Sequence, residues 1–84
     1  MSEQETVAAL SAAIQARGYV VAAVIPAGQG EVGPIYDWAL EKGGLAFRFR
    51  LEVRGLGADY VAAMADNVAR AEKVARARAA IRSV

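Results

Sequence analysis

The stretch from Tyr36 to Leu51 reads YDWALEKGGLAFRFRL, two runs of alternating character on either side of Gly43-Gly44. Paired glycines supply the positive φ angles that a two-residue hairpin turn demands. With Gly43-Gly44 as that turn, positions whose numbers sum to 87 stand opposite one another. On one face Leu40 meets Phe47, Trp38 meets Phe49 and Tyr36 meets Leu51. On the other, Asp37 meets Arg50, Ala39 meets Arg48, and Glu41 lies diagonal to Arg48. Aromatic pairs on one side and opposite charges on the other stabilise adjacent antiparallel strands by about 0.2–1 kcal/mol per pair. Pro34 to Lys42 also satisfies a short helix, with proline near its start and glycine past its end. A helix accounts for the glycines but leaves the cross-strand matching without a cause, so the pattern predicts a hairpin of strands 34–42 and 45–54.

Upstream, Tyr19 to Ile25 is rich in β-branched residues and closed by Pro26, which predicts a strand over 19–26. Before it, Ser2 and Glu5 form a capping box, Val7, Leu10 and Ile14 share a helical face, and Gly18 supplies the stop. That is a helix over 3–17. Downstream, Gly55-Leu56-Gly57 breaks the sheet. Tyr60, Val61, Met64, Val68, Ala71, Val74, Ala75 and Ile81 then mark one long helix over 58–82. Asp66–Arg70 and Glu72–Arg76 are spaced as helical ion pairs within it. The expectation is a single small α+β domain over 1–84: α-β-β-β-α, a three-stranded antiparallel meander packed against two helices, the second long.

This order of elements resembles the double-stranded RNA-binding domain over most of the chain. That family carries a lysine cluster at the start of its final helix to grip phosphates. Here the matching stretch is Gly57-Ala58-Asp59-Tyr60-Val61-Ala62, with an acid and no lysine, so the resemblance is one of fold order only.

Composition narrows the function classes. The 84 residues contain no cysteine and no histidine, which removes disulfides, thiolate and imidazole metal ligands, and the commonest general acid or base. No serine sits on a recognisable nucleophile motif. No enzymatic activity, cofactor or metal is expected. Net charge is +1, too small to mark the whole molecule for nucleic acid or membrane. The start, MSEQETVAAL, lacks the basic and apolar segments of a secretory signal. The longest apolar run, Tyr19 to Pro26, falls far short of the roughly 18 residues of a membrane span. A cytoplasmic location is expected.

Four features carry candidate chemistry. Gly28-Gln29-Gly30-Glu31-Val32-Gly33 matches the G-x-G-x-x-G spacing of dinucleotide-binding loops. However, Pro34 falls where a helix would have to start, and the alternating strand 45–54 is unlike a parallel strand covered on both faces. A turn between strands is the expectation. Arg48, Arg50 and Arg54 of the third strand, with Arg70, Lys73, Arg76, Arg78 and Arg82 loading the last helix, could form a nucleic-acid surface. The competing reading is a solvated face balanced by acids such as Asp37, Glu41 and Glu72. Asp37 and Glu41 beside Tyr36 and Trp38 suggest a carboxylate pair over an aromatic platform, but both acids face arginines, which lowers their pKa values and spoils an acid role.

The fourth feature is the first strand. It carries no charge on either face, lies at the edge of the meander, and has no charged or proline guard within 19–25. Cover by the last helix or by the glycine loop would make it ordinary core. Left uncovered, either Val20, Ala22 and Val24 or Tyr19, Val21, Ala23 and Ile25 would face outward, and Val20, Ala22 and Val24 are the expected apolar docking edge. The resulting expectation is a small non-enzymatic protein-interaction module. It would serve as an adaptor, an inhibitor or a homo-oligomer subunit, with a homodimer among the options. The alternative is a nucleic-acid-binding module using Arg48, Arg50, Arg54, Arg78 and Arg82.

Overall fold

A computed structural model describes residues 2–54 and 57–82. The order is α1 (Glu3–Ala16), β1 (Val20–Gln29), β2 (Pro34–Lys42), β3 (Leu45–Glu52), α2 (Ala58–Asp66) and α3 (Val68–Arg82). The strands form one antiparallel sheet in the order β1-β2-β3. The α-β-β-β-α expectation therefore holds. The break expected at Gly55-Leu56 lies outside the described residues, and no helix among the described residues is long and apolar enough to cross a membrane.

The hairpin forms in the register set by its side chains. Trp38 opposes Phe49, Asp37 opposes Arg50 and Ala39 opposes Arg48. Gly43 and Gly44 take φ of 57° and 79°, the paired left-handed conformations of a type I′ turn. α1 begins at Ser2, whose side chain accepts from the Glu5 amide at 3.2 Å. It ends in a Schellman closure: Gly18 N–H donates to Gln15 O, and Tyr19 N–H reaches Ile14 O.

Both helical layers cover one face of the sheet. Leu10 and Ile14 of α1, Val61 and Ala65 of α2, and Val68 of α3 bury against Trp38, Leu40, Phe47 and Phe49. Trp38 is fully buried, and its indole N–H donates to Ser11 Oγ at 3.0 Å, so the polar edge of the ring is satisfied inside the core. The opposite sheet face carries no helix.

Three local expectations change. β1 runs on through Pro26 to Gln29, because an edge strand has a neighbour on one side only and tolerates a missing N–H. It is also bulged: Val21 pairs with Leu40 but Ala23 with Ala39, leaving Ala22 as the extra residue. Finally, the last helix bends at Asn67 into α2 and α3. There Asp66 turns away from Arg70 and pairs with Arg17 of α1 at 2.9 Å. Glu72–Arg76 forms as expected, at 2.8 Å. The apolar stripe does not bury to its end, since Val74 is half exposed and Ile81 is 74% exposed.

Candidate interaction surface

The two sheet edges differ in regularity. On β1, the bulge places Val20 and Val24 on opposite faces. Val20 lies across from Glu41 on the open face and is 58% exposed. Val24 lies across from Trp38 and packs against the core. Ala22, exposed, sits at the bulge between them. Val20, Ala22 and Val24 therefore do not share a face, because one inserted residue reverses the alternation. The bulge and Pro26 are themselves edge guards of the kind that discourage strand pairing. Alternation in an all-apolar run could not have shown this.

β3 is the opposite case. Its pairing with β2 is unbroken from Leu45 to Glu52, with no proline and no bulge. Val53 N–H donates to Pro34 O at 2.8 Å, which fixes the parity of the ladder. Odd-numbered residues of β3 turn their backbone groups toward β2, and even-numbered residues turn theirs outward. The amides of Ala46, Arg48, Arg50 and Glu52 thus point away from the sheet.

α3 packs against β3, and between them runs a groove of about 840 Å³. Consecutive residues Leu45 to Phe49 line it, so it follows the strand edge itself and not one face. The α3 wall presents Arg70, Val74, Arg78 and Arg82. Arg48 completes the rim, and no acidic residue among the described residues lines the groove. Arg70, whose neighbour Asp66 pairs with Arg17 instead, stands on this wall. Phe47 and Phe49 form the floor but are only 9% and 8% exposed, too covered to serve as stacking platforms.

The other sequence-marked arginines lie elsewhere. Arg50 is committed to Asp37 on the open face through two hydrogen bonds of 2.8 and 3.1 Å, with Arg48 at 3.8 Å from the same carboxylate. The Arg50 hydrogen bonds hold the Asp37 carboxyl below the usual carboxylate range, so it cannot act as a proton donor near neutrality. Arg54 follows β3 and is exposed, outside the groove. The structure therefore brings Arg48, Arg70, Arg78 and Arg82 together and separates Arg50 and Arg54.

The glycine loop does cradle an anion, and the anion is the chain's own. Val32 and Gly33 amides donate to Glu52 Oε1 at 2.5 and 3.1 Å, while Gly30 N–H closes the turn onto Gly33 O at 2.8 Å. A Cβ on Gly30 would collide with the Glu52 carboxylate, and one on Gly33 with the Val53 carbonyl. β2 begins at once with Pro34, so no helix opens at these glycines. Two backbone donors that a phosphate would need are already engaged.

Comparison with protein-family models, with characterised proteins and with solved structures returns no match to this chain. Functional assignment therefore rests on the geometry of the domain.

Proposed function

We propose that this domain is a non-enzymatic protein-interaction module that takes an extended segment of another protein as a fourth strand on β3. The observation that carries this reading is the regular β3 edge, with outward amides at even positions, opening directly into the groove beneath α3. Strand addition supplies affinity through main-chain hydrogen bonds and specificity through side-chain contacts on either face. β1, where Val20, Ala22 and Val24 were the expected contacts, is the weaker edge because its bulge and Pro26 interrupt the donor row.

Ala46→Pro tests the reading. It removes one outward amide while leaving the β2-facing ladder intact. Co-purification with and without nuclease, together with hydrogen exchange at Ala46, Arg48 and Arg50, should show a stoichiometric protein partner. That partner should survive nuclease, protect those amides, and be lost from the proline variant. Full retention of the partner by Ala46→Pro would overturn the assignment of β3.

A second reading is favoured by the arginines alone: nucleic acid held by Arg48, Arg70, Arg78 and Arg82. Companions lost on nuclease treatment, with affinity falling steeply as salt rises, would mark it.

A further inference from the structure

The α3 wall of the groove has a spacing as well as a charge. Arg70, Val74 and Arg78 and Arg82 recur at four-residue intervals and all line the same groove. At 1.5 Å rise per residue, successive members stand about 6 Å apart along the helix. Side chains on one face of an extended strand recur every two residues, about 6.7 Å apart. For a segment running along α3, the two ladders stay in step over three intervals to within about 2 Å, well inside the reach of an arginine side chain.

Resting on the strand-addition reading above, we infer that the groove recognises an acidic extended segment. Facing α3, that segment carries acid, apolar, acid and acid at successive alternate positions. The acids meet Arg70, Arg78 and Arg82, and the apolar side chain meets Val74. Arg48, on the other wall, accommodates one further acid on the opposite face of the segment.

Charge complementarity sets the sign. The whole chain is only +1, yet four arginines line this one groove without an acid among the lining residues. Among the described residues, Arg70, Arg78 and Arg82 form no ion pair: Asp66, spaced to reach Arg70, is taken by Arg17, and neither Arg78 nor Arg82 has an acid three or four positions before it. Planar guanidinium groups favour bidentate carboxylate contacts. No stretch of the chain carries the whole pattern in either direction. Asp37-Ala39-Glu41 breaks off at Gly43 and lies in the central strand β2, already paired on both edges, so a second copy does not supply the segment. The occupant is a different protein.

The test uses the full chain and threonine-based peptides carrying glutamate, valine, glutamate and glutamate at successive alternate positions. Matched peptides carry glutamine or lysine in place of glutamate, and RNA and DNA oligonucleotides serve as competitors. The glutamate peptide should bind, shift the β3 edge amides in NMR spectra, and outbind the glutamine peptide by about ten-fold or more. The double variant Arg78→Glu/Arg82→Glu alters exposed positions only, and circular dichroism checks its fold. It should lose the glutamate peptide and prefer the lysine peptide. Equal binding of glutamate and glutamine peptides, with β3 amides still shifted, would overturn the acidic assignment and leave strand addition standing. No peptide-induced shift at β3 would overturn both.

Discussion

The Tyr19 hydroxyl donates to Glu72 Oε1 at 2.6 Å, pinning the entry of β1 to the middle of α3. It adds to the other anchors of α3, which are Val68, Ala71 and Ala75 against the core and Arg76 reaching Lys42 O at 3.5 Å. The Tyr19 ring also meets Phe47 edge-on at 5.9 Å and carries the Lys42 ammonium 4.5 Å from its centroid. Tyr19→Phe keeps the ring and removes the hydroxyl, so it should cost about 1 kcal/mol. Hydrogen exchange should quicken mainly in α3, as urea unfolding and amide exchange would show.

The same contact makes an alkaline prediction. Burial, then the hydrogen bond to Glu72, raises the Tyr19 pKa from 10.0 to about 12. The unfolded chain loses that proton first, so the stabilisation is complete below pH 10 and is lost as pH rises through about 12. Tyr19→Phe should flatten this limb of the stability curve. An unchanged alkaline limb would show that Tyr19 is not its source.

The engagement of Glu52 by the glycine loop predicts non-additivity. Gly30→Ala must displace the carboxylate, and Glu52→Ala removes the obstacle along with the hydrogen bonds. The double variant should therefore be more stable than the sum of the singles predicts, by about 0.5–3 kcal/mol. Gly28, with φ of 113° and open space around its would-be Cβ, is different. Gly28→Ala should cost about 1–2 kcal/mol through backbone strain alone, with no coupling to Glu52. Denaturation midpoints across the set decide.

The hairpin was legible because opposite charges and aromatic partners mark both of its faces, and only one register satisfies Asp37–Arg50 and Trp38–Phe49 together. β1 was not legible in the same way. From Val20 to Ile25 every residue is apolar, so nothing in the alternation signals a bulge at Ala22 or tells which face Val24 takes. The acid that fills the glycine loop comes from the far end of β3, a contact no local pattern encodes. Arg70 was visible as a cation, but its helical spacing to Asp66 pointed to an internal ion pair. Asp66 pairs with Arg17 of α1 instead, and Arg70 lines the groove. Val74 read as core but stands half exposed on the groove wall.

Asp37 governs an acid limb. Its hydrogen bonds to Arg50 depress its pKa below 3.8, so its contribution is present above that value and is lost as pH falls through the folded-state pKa. Asp37→Asn should lower stability at neutral pH and leave less further loss on acidification. Thermal melts between neutral pH and about pH 2 would check the slope. Glu72, also depressed, through its bonds to Tyr19 and Arg76, should retain part of that limb in the variant.

Substitutions at the two edges should separate folding from binding. Val20 faces solvent across from Glu41, so Val20→Lys should leave stability within about 0.5 kcal/mol and shift no β3 amide. Val24 packs toward Trp38, and Val24→Lys drives an ammonium into the core side of the sheet. It should cost about 2–4 kcal/mol and so cannot serve as a clean probe of assembly. Ala46→Pro, exposed and on the outward parity of β3, should spare the fold while abolishing strand addition. If a bound partner is lost from Val20→Lys and kept by Ala46→Pro, the docking edge is β1 and the bulge does not guard it. The reverse pattern assigns the β3 edge.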